Sequence, residues 1–138
     1  MSRFLILPFL LLLLSCEKND TIDLLPRVDV NIVIDMNLPQ YNNLQIPNGW
    51  VNTNGGINGI FIINRGVGNP PYKAFDRACP DNNCTTPMIF DGNFRLQCPC
   101  DESEYSILDG APQTQGSTNF AREYKVSVNG SALNITNF

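Results

Sequence analysis

Histidine is missing from this chain of 138 residues, and its absence removes several kinds of site. Without an imidazole there can be no Ser/His/Asp triad and no Cys/His pair, the common arrangements for nucleophilic catalysis. The sequence also lacks a glycine-rich loop that leads into a helix, the arrangement that cradles phosphates. We therefore expect neither hydrolytic nor nucleotide chemistry, and we favour a protein that is not an enzyme.

Basic side chains are scarce as well. Nine Lys and Arg stand against 13 Asp and Glu, which gives a net charge of −4. No basic cluster occurs along the chain, so a nucleic-acid partner is excluded, because phosphates need Lys and Arg. A polybasic contribution to membrane binding is excluded for the same reason. The sequence identifies no protein partner.

No apolar run is long enough to cross a bilayer. The longest, Phe4–Leu14, is interrupted by Pro8 and preceded by the positive Arg3. A short apolar run behind a positive residue is typical of a secretory signal and not of a transmembrane helix. We therefore expect residues 1–15 to be a signal peptide.

The end of this run is similar to a bacterial lipobox. Leu13-Leu14-Ser15-Cys16 is followed by the polar residues Glu17-Lys18-Asn19-Asp20. The resemblance implies cleavage before Cys16 and attachment of a diacylglycerol to its thiol. We expect residues 16–26 to be a lipidated tether and the protein to be a lipoprotein of the bacterial cell envelope, on the periplasmic or cell-surface side. Without Arg3, eight basic and thirteen acidic side chains leave a net charge of about −5, so the lipid must supply the membrane attachment.

Beyond the signal, no window shows a sustained helical stripe, whereas strand patterns are frequent. Leu38–Trp50 contains Pro39 and Pro47, and we predict a long crossing loop there. Asn129-Gly130 predicts a hairpin with a type I′ turn. The predicted strands lie within 28–35, 59–64, 72–76, 94–98, 124–128 and 132–135. Many short strands favour an all-β fold, a small antiparallel sandwich or barrel, formed by a single domain over 27–138.

Four cysteines remain once Cys16 is assigned to lipid, and they lie in two boxes. Box one is Cys79-Pro80-Asp81-Asn82-Asn83-Cys84, and box two is Cys98-Pro99-Cys100-Asp101-Glu102-Ser103. An exported protein meets an oxidising compartment, so disulfides are expected. Of three connectivities, the one that needs a Cys98–Cys100 bridge is disfavoured because residues two apart cannot easily close a disulfide. Two remain: Cys84–Cys100 with Cys79–Cys98, or Cys79–Cys100 with Cys84–Cys98.

The two boxes resemble those of Rieske iron–sulfur proteins, which bind a [2Fe–2S] cluster through two cysteines and two histidines. The pattern Cys-x-His followed by Cys-x-x-His aligns with Cys79 and Asp81 in box one and with Cys98 and Asp101 in box two. The resemblance covers residues 57–138 and implies a Rieske-like fold with the two cysteine loops at one tip.

The resemblance extends to residues around the ligand positions. High-potential members carry one more cysteine in each box, and Cys84 and Cys100 match these, which implies a Cys84–Cys100 disulfide between the loops. Ser103 and Tyr105 match the residues that donate hydrogen bonds to a bridging sulfide and a ligand cysteine in the family.

The departures from the family concern the metal ligands. Aspartate replaces both histidines, and Glu102 replaces a glycine. Carboxylates are hard anionic ligands that suit sulfide-bridged iron poorly. We therefore expect no cofactor, a second disulfide between Cys79 and Cys98, and a non-catalytic, disulfide-stapled module. The alternative is an electron-transfer protein with a [2Fe–2S] cluster on Cys79, Asp81, Cys98 and Asp101. A zinc ion on the same four residues is a third hypothesis, ranked below both.

Overall fold

The computed structural model describes residues 25–81 and 84–138. The expected signal peptide, Cys16 and most of the expected tether lie outside the described residues. Within the described ranges, no helix has the length and apolar character to cross a membrane.

The described chain consists of antiparallel strands and one short 3-10 helix, Pro39–Gln45. The strands are β1 (Asn31–Asp35), β2 (Trp50–Thr53), β3 (Ile60–Asn64), β4 (Tyr72–Asp76), β5 (Ile89–Phe90), β6 (Arg95–Gln97), β7 (Glu104–Ser106), β8 (Glu123–Asn129) and β9 (Ala132–Thr136). The predicted all-β fold class is confirmed.

The strands form two sheets. The large sheet has the order β1-β9-β8-β4-β3-β2, and the small sheet has the order β5-β6-β7. Strand β8 joins the two halves of the large sheet, since its last five residues pair with β9 and its first two pair with β4, through Ala74↔Tyr124 and Phe75↔Glu123. The short β8–β4 pairing allows the sheet to curl, while the small sheet carries the two cysteine boxes in its connections.

Strand β3 is buried on both faces, and this explains why its first four residues are all apolar. All five of its residues are buried. Because side chains alternate along a strand, Ile60 and Ile62 point to one face and Phe61 and Ile63 to the other. The first pair belongs to a core within the curled large sheet, which we name the large-sheet core, and the second to a core between the two sheets, the interface core.

The interface core is where the cysteine boxes attach to the fold. Buried Cys79 and Cys98 belong to it together with Phe75 and Tyr105, and partly buried Cys84 packs against it. Apolar burial, at about 25 cal/mol per Å², therefore holds both boxes in place next to each other.

The prediction of a crossing loop over Leu38–Trp50 was wrong in part. Pro39 begins the 3-10 helix, in keeping with the preference of proline for the first helical position. Leu44 of this helix is fully buried, while Trp50 already belongs to β2. The sequence pattern missed this because one buried side chain in seven residues produces no amphipathic period.

The predicted hairpin at Asn129-Gly130 is present, with a different turn. Asn129 pairs with Ala132, so the two loop residues are Gly130 and Ser131. Only Gly130 has a positive φ, 60°. Type I′ requires a positive φ at both loop residues, whereas type II′ requires it at the first alone. The turn is therefore of the II′ kind, one residue later than expected.

A buried carboxylate anchors the start of the cysteine region. Asp76, at the end of β4, is fully buried. Its Oδ2 accepts hydrogen bonds from the Tyr124 hydroxyl at 2.6 Å and the Ile57 amide at 2.7 Å. Its Oδ1 accepts from the amides of Ala78 at 2.8 Å and Asn58 at 3.3 Å. Sequence analysis missed this residue, although an aspartate that directly follows the apolar pair Ala74-Phe75 is a signal for such a role.

Candidate functional site

The two boxes are connecting loops at the edge of the interface core. Box one follows β4 and leads toward β5, while box two is the tight turn between β6 and β7. In box two the Cys98 amide donates to the Ser103 carbonyl at 2.8 Å, and the Glu102 amide donates to the Cys98 carbonyl at 2.9 Å. These bonds close the turn on itself and fix the direction of the Cys98 side chain.

Two disulfides join the boxes, Cys79–Cys98 and Cys84–Cys100, with Cα–Cα distances of 5.6 and 6.0 Å. Both distances lie within the usual disulfide range. The bridges differ in exposure. Cys79 and Cys98 are 1% and 0% exposed, whereas Cys84 is partly buried and Cys100 is exposed. The inner bridge is therefore part of the core, and the outer bridge can be reached from solvent.

The aspartates at the histidine positions each accept a hydrogen bond from one of two neighbouring hydroxyls. The Ser103 hydroxyl lies 2.6 Å from Asp101 Oδ1 and 3.2 Å from the Tyr105 hydroxyl. The Tyr105 hydroxyl donates to Asp81 Oδ2 at 2.9 Å. Ser103 and Tyr105 are both buried, whereas Asp81 of box one is partly buried and Asp101 of box two is exposed.

Burial and the carboxylate of Asp81 keep Tyr105 protonated. Burial is the largest cause that raises the pKa of Tyr105 from 10.0 to about 12. The hydrogen bond to Asp81 and the negative charge of that carboxylate raise the pKa further, while the hydrogen bonds with Ser103 and Ser117 lower it. At neutral pH the hydroxyl is therefore a donor, and the carboxylate of Asp81 is its acceptor.

A third segment, which contains Asn119, also contacts Asp81. The Asn119 amide donates to Asp81 Oδ1 at 3.1 Å. Asn119 precedes β8 and is 38 positions from Asp81. No local pattern could have revealed this contact, because a backbone amide carries no residue-specific signal.

Glu102 has a backbone conformation that favours glycine. Its φ is 61°, in the left-handed region. The Rieske resemblance implies a glycine at this position, and the structure shows the physical reason, since a glycine adopts this conformation without a steric penalty. Glu102 therefore retains the backbone turn of box two at a cost of about 1 kcal/mol.

Three sulfurs form a cluster. The Sγ atoms of Cys79, Cys84 and Cys98 all lie within 4.8 Å of one another. Among residues 25–81 and 84–138, this is the one set of three or more His, Cys, Asp or Glu ligand atoms close enough to share a metal ion. Neither Asp81 nor Asp101 belongs to it.

The donors at the four ligand positions therefore do not fit a Rieske cluster. Two neutral imidazoles are replaced by two carboxylates, which are harder and anionic ligands. Both carboxylates already accept hydrogen bonds from Ser103 or Tyr105. The ligand atom that lies close to both Cys79 Sγ and Cys98 Sγ is Cys84 Sγ, and not a carboxylate oxygen of Asp81 or Asp101.

The comparisons with known proteins bear on the fold. No protein-family model matches the sequence, and no curated protein matches it either. The structure has a Rieske-like fold, which confirms the fold inferred from the cysteine boxes.

Two solved structures illustrate the likeness. One is the ferredoxin of carbazole 1,9a-dioxygenase from Nocardioides aromaticivorans IC177, with a TM-score of 0.50 and 14% sequence identity over 81% of this chain and 100% of that chain. The other is described as a nitrite reductase NADPH (small subunit) oxidoreductase protein, with a TM-score of 0.46 and 10% identity over 79% of this chain and 98% of that chain. At 14% identity the likeness to the first structure is one of fold.

Proposed function

We propose that this protein is a lipid-anchored module of the bacterial cell envelope that uses a Rieske-like fold without an iron–sulfur cluster. In this proposal its two cysteine loops are held by the disulfides Cys79–Cys98 and Cys84–Cys100. The module has no catalytic site of its own, and it binds no nucleic acid. It is attached to the membrane through a diacylglycerol on Cys16.

The observation that carries the proposal is the hydrogen bonding of Asp81 and Asp101. In a Rieske protein the serine and tyrosine after box two donate to sulfur atoms of the cluster. Here Ser103 and Tyr105 contact the carboxylates that replace the histidines. Each substituted ligand is thus satisfied by protein groups, which supports a loop pair that is complete without a metal.

The net charge of the loops supports the same proposal. Asp81, Asp101 and Glu102 place three carboxylates at or beside the ligand positions, while the charge of Glu104 is offset by Arg95 at 2.6 Å. A reduced [2Fe–2S] cluster is itself anionic when bound by thiolates. Adding it to this surface would concentrate negative charge in a partly desolvated place, which is unfavourable.

The alternative is an electron-transfer protein with a [2Fe–2S] cluster held by Cys79, Asp81, Cys98 and Asp101. Two observations favour it, the Rieske-like fold and the proximity of the Cys79 and Cys98 sulfurs. The two proposals differ in the oxidation state of these two cysteines and in iron content.

Elemental and thiol analysis of the full chain, purified without oxygen, separates the two. We expect a colourless protein with iron and acid-labile sulfide well below one atom per chain, and no free thiols until a reductant exposes four. Two atoms each of iron and sulfide per chain, with a [2Fe–2S] electron-resonance signal after reduction, would replace the proposal by its alternative.

The lipid anchor has an independent test. Cys16→Ser should move the protein from the membrane fraction to the soluble fraction, because the acyl chains are the proposed attachment. Ser15→Ala is the matched control, since a small residue before the cysteine is retained, and it should leave the protein in the membrane fraction. Equal membrane retention of Cys16→Ser and the parent would refute the anchor.

A further inference from the structure

The two disulfides are close enough to exchange. The Cys84 sulfur, which belongs to the outer bridge, lies within 4.8 Å of both sulfurs of the inner bridge. Cys79 Sγ and Cys84 Sγ also lie against the same carbonyl oxygen, that of Thr86, at 3.7 and 3.5 Å. Three sulfurs from two different bridges thus share one small volume at the edge of the interface core.

The cysteines differ in exposure, and this difference sets the order in which their sulfurs would react. Cys100 is exposed, Cys84 is partly buried, and the inner bridge is buried. A thiol from solvent can reach the Cys100 sulfur first, and attack there makes Cys84 the leaving group. The thiolate is then released on the side that faces the inner bridge. Thiol–disulfide exchange depends on this kind of access and on which sulfur is attacked.

We propose that the two bridges form a relay for dithiol–disulfide exchange, in which Cys100 accepts an external dithiol and Cys84 carries the exchange to the buried Cys79–Cys98 bridge. This rests on the proposed function, because the relay needs the cysteines to be paired with each other and not bound to iron. It adds an activity, two-electron exchange with a dithiol, to a module otherwise held by structural bridges.

The steps balance as follows. One thiolate of the dithiol attacks Cys100 Sγ, which forms a mixed disulfide and breaks the Cys84–Cys100 bond, with the electron pair leaving on Cys84 Sγ. The Cys84 thiolate attacks one sulfur of the inner bridge, forms a bond to it, and releases the other as a thiolate. The second thiol of the dithiol then resolves the mixed disulfide and frees Cys100. The dithiol is oxidised to a disulfide, and the protein gains two thiols and keeps one bridge.

The charged residues beside Cys100 indicate which dithiols would react with it fastest. Cys100 is followed by Asp101 and Glu102, and all three residues are exposed. The attacking group is a thiolate in every case, so a dithiol that bears further negative charge is repelled more strongly by Asp101 and Glu102 than a dithiol that bears none. The relay is therefore expected to react faster with neutral dithiothreitol than with an anionic thiol of equal reducing strength, and this preference should weaken as salt is added.

A matched pair of variants tests the relay. Cys84→Ser and Cys100→Ser both break the outer bridge, but they leave different cysteines free. In Cys100→Ser the free Cys84 thiol faces the inner bridge, and we expect it to exchange into Cys84–Cys79 or Cys84–Cys98 in at least about one tenth of the molecules, the share that an exchange equilibrium 1.4 kcal/mol uphill would give. In Cys84→Ser the inner bridge should remain Cys79–Cys98.

The chain offers a direct way to read the pairing. Cleavage before Asp76, Asp81, Asp91 and Asp101 places Cys79, Cys84 and Cys98 on three separate fragments after acid quenching and alkylation. Mass spectrometry of Cys100→Ser then distinguishes all three possible pairs. In wild type treated with one equivalent of dithiothreitol, the diagnostic product is the Cys84 fragment linked to the Cys79 fragment, because Cys98 and Cys100 share one fragment and a link to it is also given by the original outer bridge.

The outcomes separate the two proposals. If Cys100→Ser holds only the Cys79–Cys98 pair, and treated wild type releases only the Cys84 and Cys100 thiols, the relay is refuted while the stapled module stands. If iron and sulfide are found in the untreated wild type, the clusterless function fails, and the relay fails with it. A free Cys84 that exchanges in Cys100→Ser, with an unchanged inner bridge in Cys84→Ser, supports the relay.

Discussion

The Tyr105 hydroxyl donates to Asp81 Oδ2 at 2.9 Å, and this bond spans the two cysteine loops beside the inner disulfide. Asp81 occupies the position of a histidine ligand in the Rieske pattern, and Tyr105 occupies that of a donor to cluster sulfur. The aspartate that replaces the histidine therefore accepts the hydrogen bond that the tyrosine donates to cluster sulfur in the Rieske pattern.

A double-mutant cycle measures this relationship. Tyr105→Phe and Asp81→Ala should each lower the free energy of unfolding, and the two together should lower it by less than the sum. We expect a coupling of about 1.5–3 kcal/mol, the range of hydrogen bonds to charged groups. Urea unfolding of the four proteins at pH 7 provides the measurement. Additive effects would show that the bond contributes nothing.

Glu102 should be replaceable with a gain in stability. Its φ of 61° is unfavourable for any residue with a Cβ, so Glu102→Gly should raise the free energy of unfolding by about 1 kcal/mol. Asn48, with a φ of 64°, is the matched control, and Asn48→Gly should give a smaller change because asparagine tolerates this region. Thermal unfolding compares the two variants. A loss of stability in Glu102→Gly would mean that its side chain outweighs the backbone strain.

Removal of the Asp76 carboxylate should be among the most damaging changes in the fold. Asp76→Ala leaves the Tyr124 hydroxyl and three backbone amides without their acceptor in a buried place, at a cost of about 3 kcal/mol or more. Asp35 also ends a strand and accepts one bond, from the Asn37 amide, but it is exposed. Asp35→Ala should cost about 0.5 kcal/mol. Equal denaturation midpoints for the two variants would contradict the anchoring role of Asp76.

Tyr124 should make stability fall at high pH. Burial, together with the hydrogen bond to Asp76 and its charge, raises the pKa of Tyr124 above 10.0 in the folded protein, and Arg122 opposes the rise. The folded state thus favours the protonated form. Its contribution is complete below pH 10 and is lost as pH rises above that value. Unfolding at pH 7, 10 and 11 should therefore show a steeper decline in the parent than in Tyr124→Phe. Parallel declines would exclude Tyr124 as the cause.

Restoring the imidazoles should restore affinity for iron. The variant Asp81→His with Asp101→His recreates the Cys2His2 donor set on loops that already have a Rieske-like arrangement. After reduction and anaerobic reconstitution with iron and sulfide, it should retain severalfold more iron than the parent. Asp81→Asn with Asp101→Asn is the control, since it removes the same charges without supplying imidazole. Equal iron in all three proteins would show that the loops themselves prevent binding.

Much of the fold was predictable because alternating polar and apolar residues, or short apolar runs, indicate strands in the sequence. The patterns around Ile32, Ile62 and Val126 each lie in a strand of the structure. The strands that were missed, Trp50–Thr53, Ile89–Phe90 and Glu104–Ser106, have two to four residues, too few for a period to show. Their positions are determined by the loops and cores around them.

The candidate site was predictable in its residues and not in its contacts. Cysteine spacing and the run from Ser103 to Tyr105 can be read directly from the sequence. The bonds of Asp81 to Tyr105 and Asn119 join positions 24 and 38 residues apart, and they exist only once the two sheets have packed together. The proximity of Cys84 to the inner bridge arises in the same way, from packing around the interface core.

Strand β3 contributes alternate side chains to both cores, so neither sheet has a hydrophobic interior that is independent of the other. Detaching the small sheet would bring Phe61 and Ile63 into water and would weaken the strand that also supports Ile60 and Ile62. The region that carries the cysteines and the region that curls around the large-sheet core should therefore melt as one cooperative unit, with a single transition by every spectroscopic probe.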